Sequence, residues 1–147
     1  MLRYGLVIVA ALCTICAETP AHAEEAVNLS GSWTFTARIS EGCNFDGTAH
    51  LTAVEPGLYE GELTARQDCP DLDITYLVRQ TARARTLGNQ VSVQSTILEF
   101  LEGSETEYYF PDNFTLTIKS DTHLYGALVS SGSAKPAQWY RSNNGIS

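Results

Sequence analysis

Apolar and polar residues alternate with a period of two from Trp33 nearly to the end of the chain, and turn-forming residues interrupt the alternation at short intervals. No stretch holds a helical period. Trp33, Phe35, Ala37 and Ile39 share one face of a first predicted strand, with Thr34, Thr36 and Arg38 on the other. Ala49, Leu51 and Ala53 against Thr48, His50 and Thr52 predict a second strand over 47–54. The sequence EPGL then places Pro56 and Gly57 at the centre of a type II turn. A third strand alternates Tyr59, Gly61, Leu63 and Ala65 against Glu60, Glu62, Thr64 and Arg66. A fourth alternates Ile74, Tyr76, Val78, Gln80 and Ala82, and the turn signal LGNQ follows at 87–90. Val91, Val93, Ser95 and Ile97 mark the fifth strand, and Phe114, Leu116 and Ile118 the sixth. Leu124, Gly126 and Leu128 mark the seventh, and Ala137, Trp139 and Arg141 the eighth. The pattern predicts an all-β chain of eight antiparallel strands, each with one wet face. Short hairpins and the lack of long crossovers favour an up-and-down β-barrel over a sandwich, and closure removes exposed sheet edges.

A different pattern precedes the strands. Met1-Leu2-Arg3 leads into the apolar run YGLVIVAALCTIC, and Ala21-His22-Ala23 forms an A-x-A site. This predicts a secretory signal peptide over 1–23, cut after Ala23, and one domain over 24–147 in the periplasm or outside the cell. The apolar run is too short for a membrane span. Leu12 and Ile15 precede Cys13 and Cys16, where lipidation needs a small residue. The cut removes Arg3 and Glu18, one charge of each sign, so the net charge of −8 is unchanged. Such an acidic chain repels nucleic acid and anionic membranes as partners.

Export leaves two cysteines, Cys43 and Cys69, in an oxidising compartment, where a lone pair most often forms one disulfide. The strand count agrees. If the first strand runs up, Cys43 follows it at the top, and Cys69 follows the third strand, also at the top. Bridging them closes a loop of about 25 residues, worth roughly 3–4 kcal/mol in the chain-entropy model.

Catalytic chemistry finds little support. His50 and His123 fall on or beside outward faces with no partner at hand. Carboxylates are many, but none falls on a predicted apolar inner face, where its pKa would be tuned. Asp68, Asp71 and Asp73 in DCPDLD match no EF-hand spacing, and no G-x-S-x-G elbow is present. The expectation is therefore no enzyme, no metal and no cofactor. Arg66, Arg79, Arg83 and Arg85 project outward beside Glu60 and Glu62, so cross-strand ion pairs are expected there before an anion site.

Binding fares better. The inner face is rich in small residues, among them Ala37, Ala49, Gly61, Ala65, Ala82 and Gly126. An eight-stranded barrel with such a lining has room for one small ligand, touched by Tyr59, Tyr76, Gln80, Ser95 and Trp139. Alternatively the aromatics fill that space themselves. The longest connection, about 100–112, carries Phe100, Leu101, Tyr108, Tyr109 and Phe110 in an acidic setting that only Lys135 opposes. These form either a lid and docking surface, with Tyr108 and Phe110 as contacts, or an extension of the core.

Gly31-Ser32-Trp33 opens the first strand and Arg141 ends the last, which the strand count puts side by side at the bottom. This arrangement resembles the calycin superfamily of lipocalins, fatty-acid-binding proteins and avidins. The resemblance implies that Arg141 lies across the indole of Trp33 and plugs one end. The chain also resembles bacterial inhibitors of secreted metalloproteases, exported barrels with a similar opening and a single disulfide. Together these readings predict an exported, non-enzymatic barrel that binds a small apolar or amphipathic ligand. The alternative is a protein-binding module such as an inhibitor of a secreted protease.

Overall fold

The computed structural model describes residues 26–106 and 108–143. The expected signal peptide lies outside them. Eight strands follow in order: β1 Gly31–Ser40, β2 Cys43–Glu55, β3 Leu58–Cys69, β4 Ile74–Leu87, β5 Gln90–Glu102, β6 Asn113–Ser120, β7 His123–Ser130 and β8 Ser133–Arg141. Each pairs antiparallel with its sequence neighbour, and β1 pairs with β8, so the sheet is a closed up-and-down barrel. A 3-10 turn, Pro70–Leu72, joins β3 to β4. Among the described residues no helix is long and apolar enough to cross a membrane.

Most strands outrun the alternation that predicted them. β2 begins at Cys43 rather than near 47, which turns Phe45 inward. β4 continues to Leu87 and buries Ala84. Both extensions arise because antiparallel partners keep exchanging hydrogen bonds after the apolar pattern fades. Cys43 opens β2 and Cys69 closes β3; their Cα atoms are 4.2 Å apart and the disulfide joins them at the top.

The core occupies the lower and middle barrel. Phe35, Phe114 and Trp139 meet with ring centroids 5.1–5.2 Å apart, in stacked, tilted and edge-on pairs. Trp33, Leu51, Leu63, Val91, Leu116 and Leu124 close around them, and none is more than 2% exposed. That leaves no water-sized space beside these side chains. The small-residue lining is therefore not the wall of a deep cavity. A Cβ on Gly47 would run into the Phe35 ring, and one on Gly61 into the His50 carbonyl of β2. Gly47 makes room for the ring of its own cross-strand partner Phe35, and Gly61 lets neighbouring strands close up.

The bottom is sealed by a clasp. Trp33 is fully buried and its indole N–H donates to the Leu29 carbonyl at 2.9 Å. The Arg141 guanidinium stands 4.4 Å from the Trp33 ring centroid. It donates to the carbonyls of Asp121 at 2.8 Å and of Ser30 and Asn28 at 2.6 Å each. One side chain thus ties the segment before β1, the β6–β7 turn and the end of β8.

Candidate binding site at the barrel mouth

The top is built differently. β5 climbs well above the start of β6, pairing with it only over Gln90–Val93. The described residues of the connection, 103–106 and 108–112, then lead back to Asn113. The register of β5 against β4 slips at Leu98 and at Leu101, two bulges. The first carries Phe100 to the inner face opposite Val78, where unbroken alternation from Ile97 would have put it outside. Phe100 and Tyr76 there hold Tyr109 edge-on, at 5.6 and 5.3 Å between centroids. Tyr109 is buried, whereas its neighbour Tyr108 is 81% exposed and Phe110 45%.

Beneath Tyr109 sits a buried carboxylate. Asp112 is only 3% exposed, and Gln80 not at all. Tyr109 Oη donates to Asp112 Oδ2 at 2.7 Å, and Gln80 Nε2 donates to the same oxygen. The Asp112 N–H donates back to Gln80 Oε1 at 2.9 Å. One glutamine amide therefore clamps both the side chain and the backbone of Asp112. Burial raises the Asp112 pKa from its ordinary 3.8 to about 6, against the pull of the bonds from Tyr109 and Gln80. Burial, and then the charge of Asp112, push the Tyr109 phenol far above its ordinary range. This corrects the expectation that no carboxylate lies inside. The signal was present, because Asp112 shares the parity of Phe114 and Leu116, but it was masked by an acidic loop.

A half-open cleft of about 260 Å³ adjoins this clamp. Ile39, Phe45, Leu128, Tyr109 and Phe110 supply apolar wall, and Gln67, Asp112, Ser130, Ser133 and Lys135 supply polar groups. Lys135 shares the inward parity of Ala137 and Trp139 and pairs with buried Leu128. Among the described residues it makes no ion pair. A second opening joins the cleft through the wall. Ser142 N–H donates to the Ser32 carbonyl, and hydrogen-bonded rungs recur at every second residue, so Arg38–Pro136 falls on such a rung. Pro136 has no N–H to give. β1 and β8 part above Ala37–Ala137, leaving a groove of about 1190 Å³ that shares Ile39, Ser40, Phe45 and Lys135 with the cleft.

The sequence-predicted contacts therefore divide. Tyr108 and Phe110 line the cleft, and Gln80 and Tyr76 brace it from behind through Asp112 and Tyr109. Ser95 is joined to the loop by its N–H, which donates to Asn113 Oδ1 at 2.8 Å; its hydroxyl is buried without a partner among the described residues. Tyr59 lies at the opposite end, its hydroxyl 3.5 Å from the Val27 carbonyl, and Trp139 is sealed in the core. Tyr109, Asp112 and Lys135 were not singled out as contacts from the sequence. Elsewhere, Arg79 bridges Glu62 and Glu99, and Arg66 pairs with Glu102, all on the exposed outer face. Arg83 and Arg85 make no ion pair among the described residues. No group of three or more potential ligands is placed to hold a metal ion among them.

The fold defines the chain as a closed eight-stranded β-barrel. No protein-family model matches it, and no curated protein does. Among solved structures it is similar to two redesigned β-barrels bound to DFHBI. One is mFAP1, with TM-score 0.55 and 15% identity over 78% of this chain and 94% of that one. The other is mFAP0, with TM-score 0.55 and 16% identity over 77% and 98%. EF1p2_mFAP2b, also bound to DFHBI, reaches TM-score 0.52 at 14% identity. At these identities the likeness is one of fold.

Proposed function

We propose that the chain is an exported, non-enzymatic barrel, closed at one end in calycin-like fashion, that binds a small amphipathic ligand at its mouth. The observation that carries this reading is the cleft itself, where a braced aromatic wall faces the polar groups of Gln67, Asp112 and Lys135. Its volume lies just below the usual range of about 300–1,000 Å³ for drug-sized ligands, which suits a single ring or a short chain rather than a long lipid. Barrels of similar fold bound to DFHBI make small-ligand binding compatible with the architecture. A panel of small aromatic and short-chain amphiphiles titrated into isotopically labelled protein tests the reading. Shifts confined to residues around Tyr109, Asp112 and Lys135 are expected. No shift at millimolar ligand, or shifts centred on Trp139, would count against it.

The exposure of Tyr108 and the filled interior favour a second reading, a protein-binding module such as an inhibitor of a secreted protease. Assay against co-secreted proteases at micromolar excess separates the two, since a mouth that only takes small ligands slows none of them.

A further inference from the structure

Among the described residues the barrel wall leaves one long strand edge unused. Above Val93, β5 goes on pairing with β4 as far as Glu102, while its other side has lost β6. The first donor on that side, Ser95 N–H, is taken by Asn113 Oδ1. Among the described residues no backbone hydrogen bond from the loop reaches Thr96–Glu102. Of the usual blocks on a free edge, the sequence TILEFLE carries no proline and no lysine; it does carry two glutamates and two bulges, which set what can pair there. The bulges leave Leu98 45% and Leu101 48% exposed along it.

Charge decides what fits. Glu99, Glu102 and Glu105 lie along or just beyond this edge, and Asp68, Asp71 and Asp73 stand at the same end of the barrel. Arg79 is already shared between Glu62 and Glu99, and Arg66 is engaged by Glu102. A second copy would bring the same carboxylates and a net charge of −8 to the contact. The two bulges also bend the edge, which a flexible segment can follow and a rigid copy cannot. We propose that the upper edge of β5, Thr96–Glu102, receives an extended, basic segment of a partner protein as an added strand. Its backbone pairs with β5, its apolar side chains cover Leu98 and Leu101, and its cations face the carboxylates that Arg66 and Arg79 leave unbalanced at this end. This rests on the protein-binding reading and extends it by naming the surface and the partner's chemistry.

The test uses three synthetic peptides of about nine residues, the length of a long strand. One alternates Lys with Val, one alternates Glu with Val, and one keeps the Lys charges but carries prolines at alternate positions. Amide hydrogen exchange and titration are read on the full mature chain. The Lys–Val peptide is expected to slow exchange at Thr96–Glu102, with the other two failing to do so. Leu101→Lys, an exposed change, should weaken that peptide about tenfold or more while leaving the fold intact, as does raising the salt. Equal binding of the proline peptide would overturn strand addition. Protection at Tyr108–Phe110 instead of β5, or inhibition of a protease undiminished by Leu101→Lys, would overturn the edge and leave the protein-binding reading standing. Absence of peptide binding together with absence of any protease inhibition would overturn both.

Discussion

The two ends of the barrel are closed by groups of opposite charge, and the difference sets what each end can do. At the bottom, Arg141 is held over Trp33 and gives three N–H donors to backbone carbonyls. Its acceptors are neutral carbonyls and its ring contact is an aromatic face, so this clasp contains no ion pair. At the top, Asp112 is held by Tyr109 and Gln80, and burial has moved its pKa to about 6. That clasp titrates. The bottom clasp holds carbonyls that sit within three residues of a strand end, Asn28 and Ser30 before β1 and Asp121 after β6, whereas Tyr109 and Asp112 come from a longer loop between β5 and β6. Stability therefore concentrates at the bottom and adaptability at the top.

The largest test of this contrast is Trp33→Ala. It removes the indole that both fills the floor and receives Arg141, and should cost about 3–5 kcal/mol in urea unfolding. Affinity at the mouth should stay nearly unchanged in the folded fraction. A selective loss of binding at normal stability would erase the distinction between the ends.

The next effect is pH dependence. Asp112 has a higher pKa in the folded state than its ordinary 3.8, so the folded chain holds the extra proton between about pH 4 and 6. The contribution is fully present below that window and is lost as the pH rises through about 6, by roughly 3 kcal/mol. Asp112→Asn should flatten this fall, seen as a difference between the two unfolding curves measured from pH 4 to 8. If both proteins lose the same stability over that range, the top clasp does not titrate as described.

The smallest expected effect sharpens the comparison from the other side. Tyr108→Ser removes an exposed ring from the rim of the cleft and should change stability by less than about 0.5 kcal/mol. It should nevertheless weaken binding at the mouth severalfold, read by titration. An unfolding penalty as large as that of Trp33→Ala would make Tyr108 part of the frame.

Much of the frame was legible from residue order. Alternation located all eight strands, and counting their directions placed Cys43 with Cys69 and Trp33 with Arg141, because an up-and-down meander fixes which end each strand reaches. The clasp at the top was legible only in part. Asp112 kept the inward parity of Phe114, but Tyr109 turned in and Phe110 turned out against that parity, because loop residues owe nothing to the pleat. Phe100 reached the inner face through a slip at Leu98 that nothing in the alternation announces.

The sequence by itself determined period and strand direction; the gap above Ala37 needed the β1–β8 register, which sets Pro136 on a rung it cannot supply. Tertiary structure alone decided whether the barrel was hollow. Ala37, Ala49 and Gly61 read along the chain as empty space, yet what fills a barrel is set by which rings meet inside it. Phe35, Phe114 and Trp139 lie far apart in sequence and meet only when the sheet closes, and their packing leaves the mouth, rather than the interior, as the candidate site.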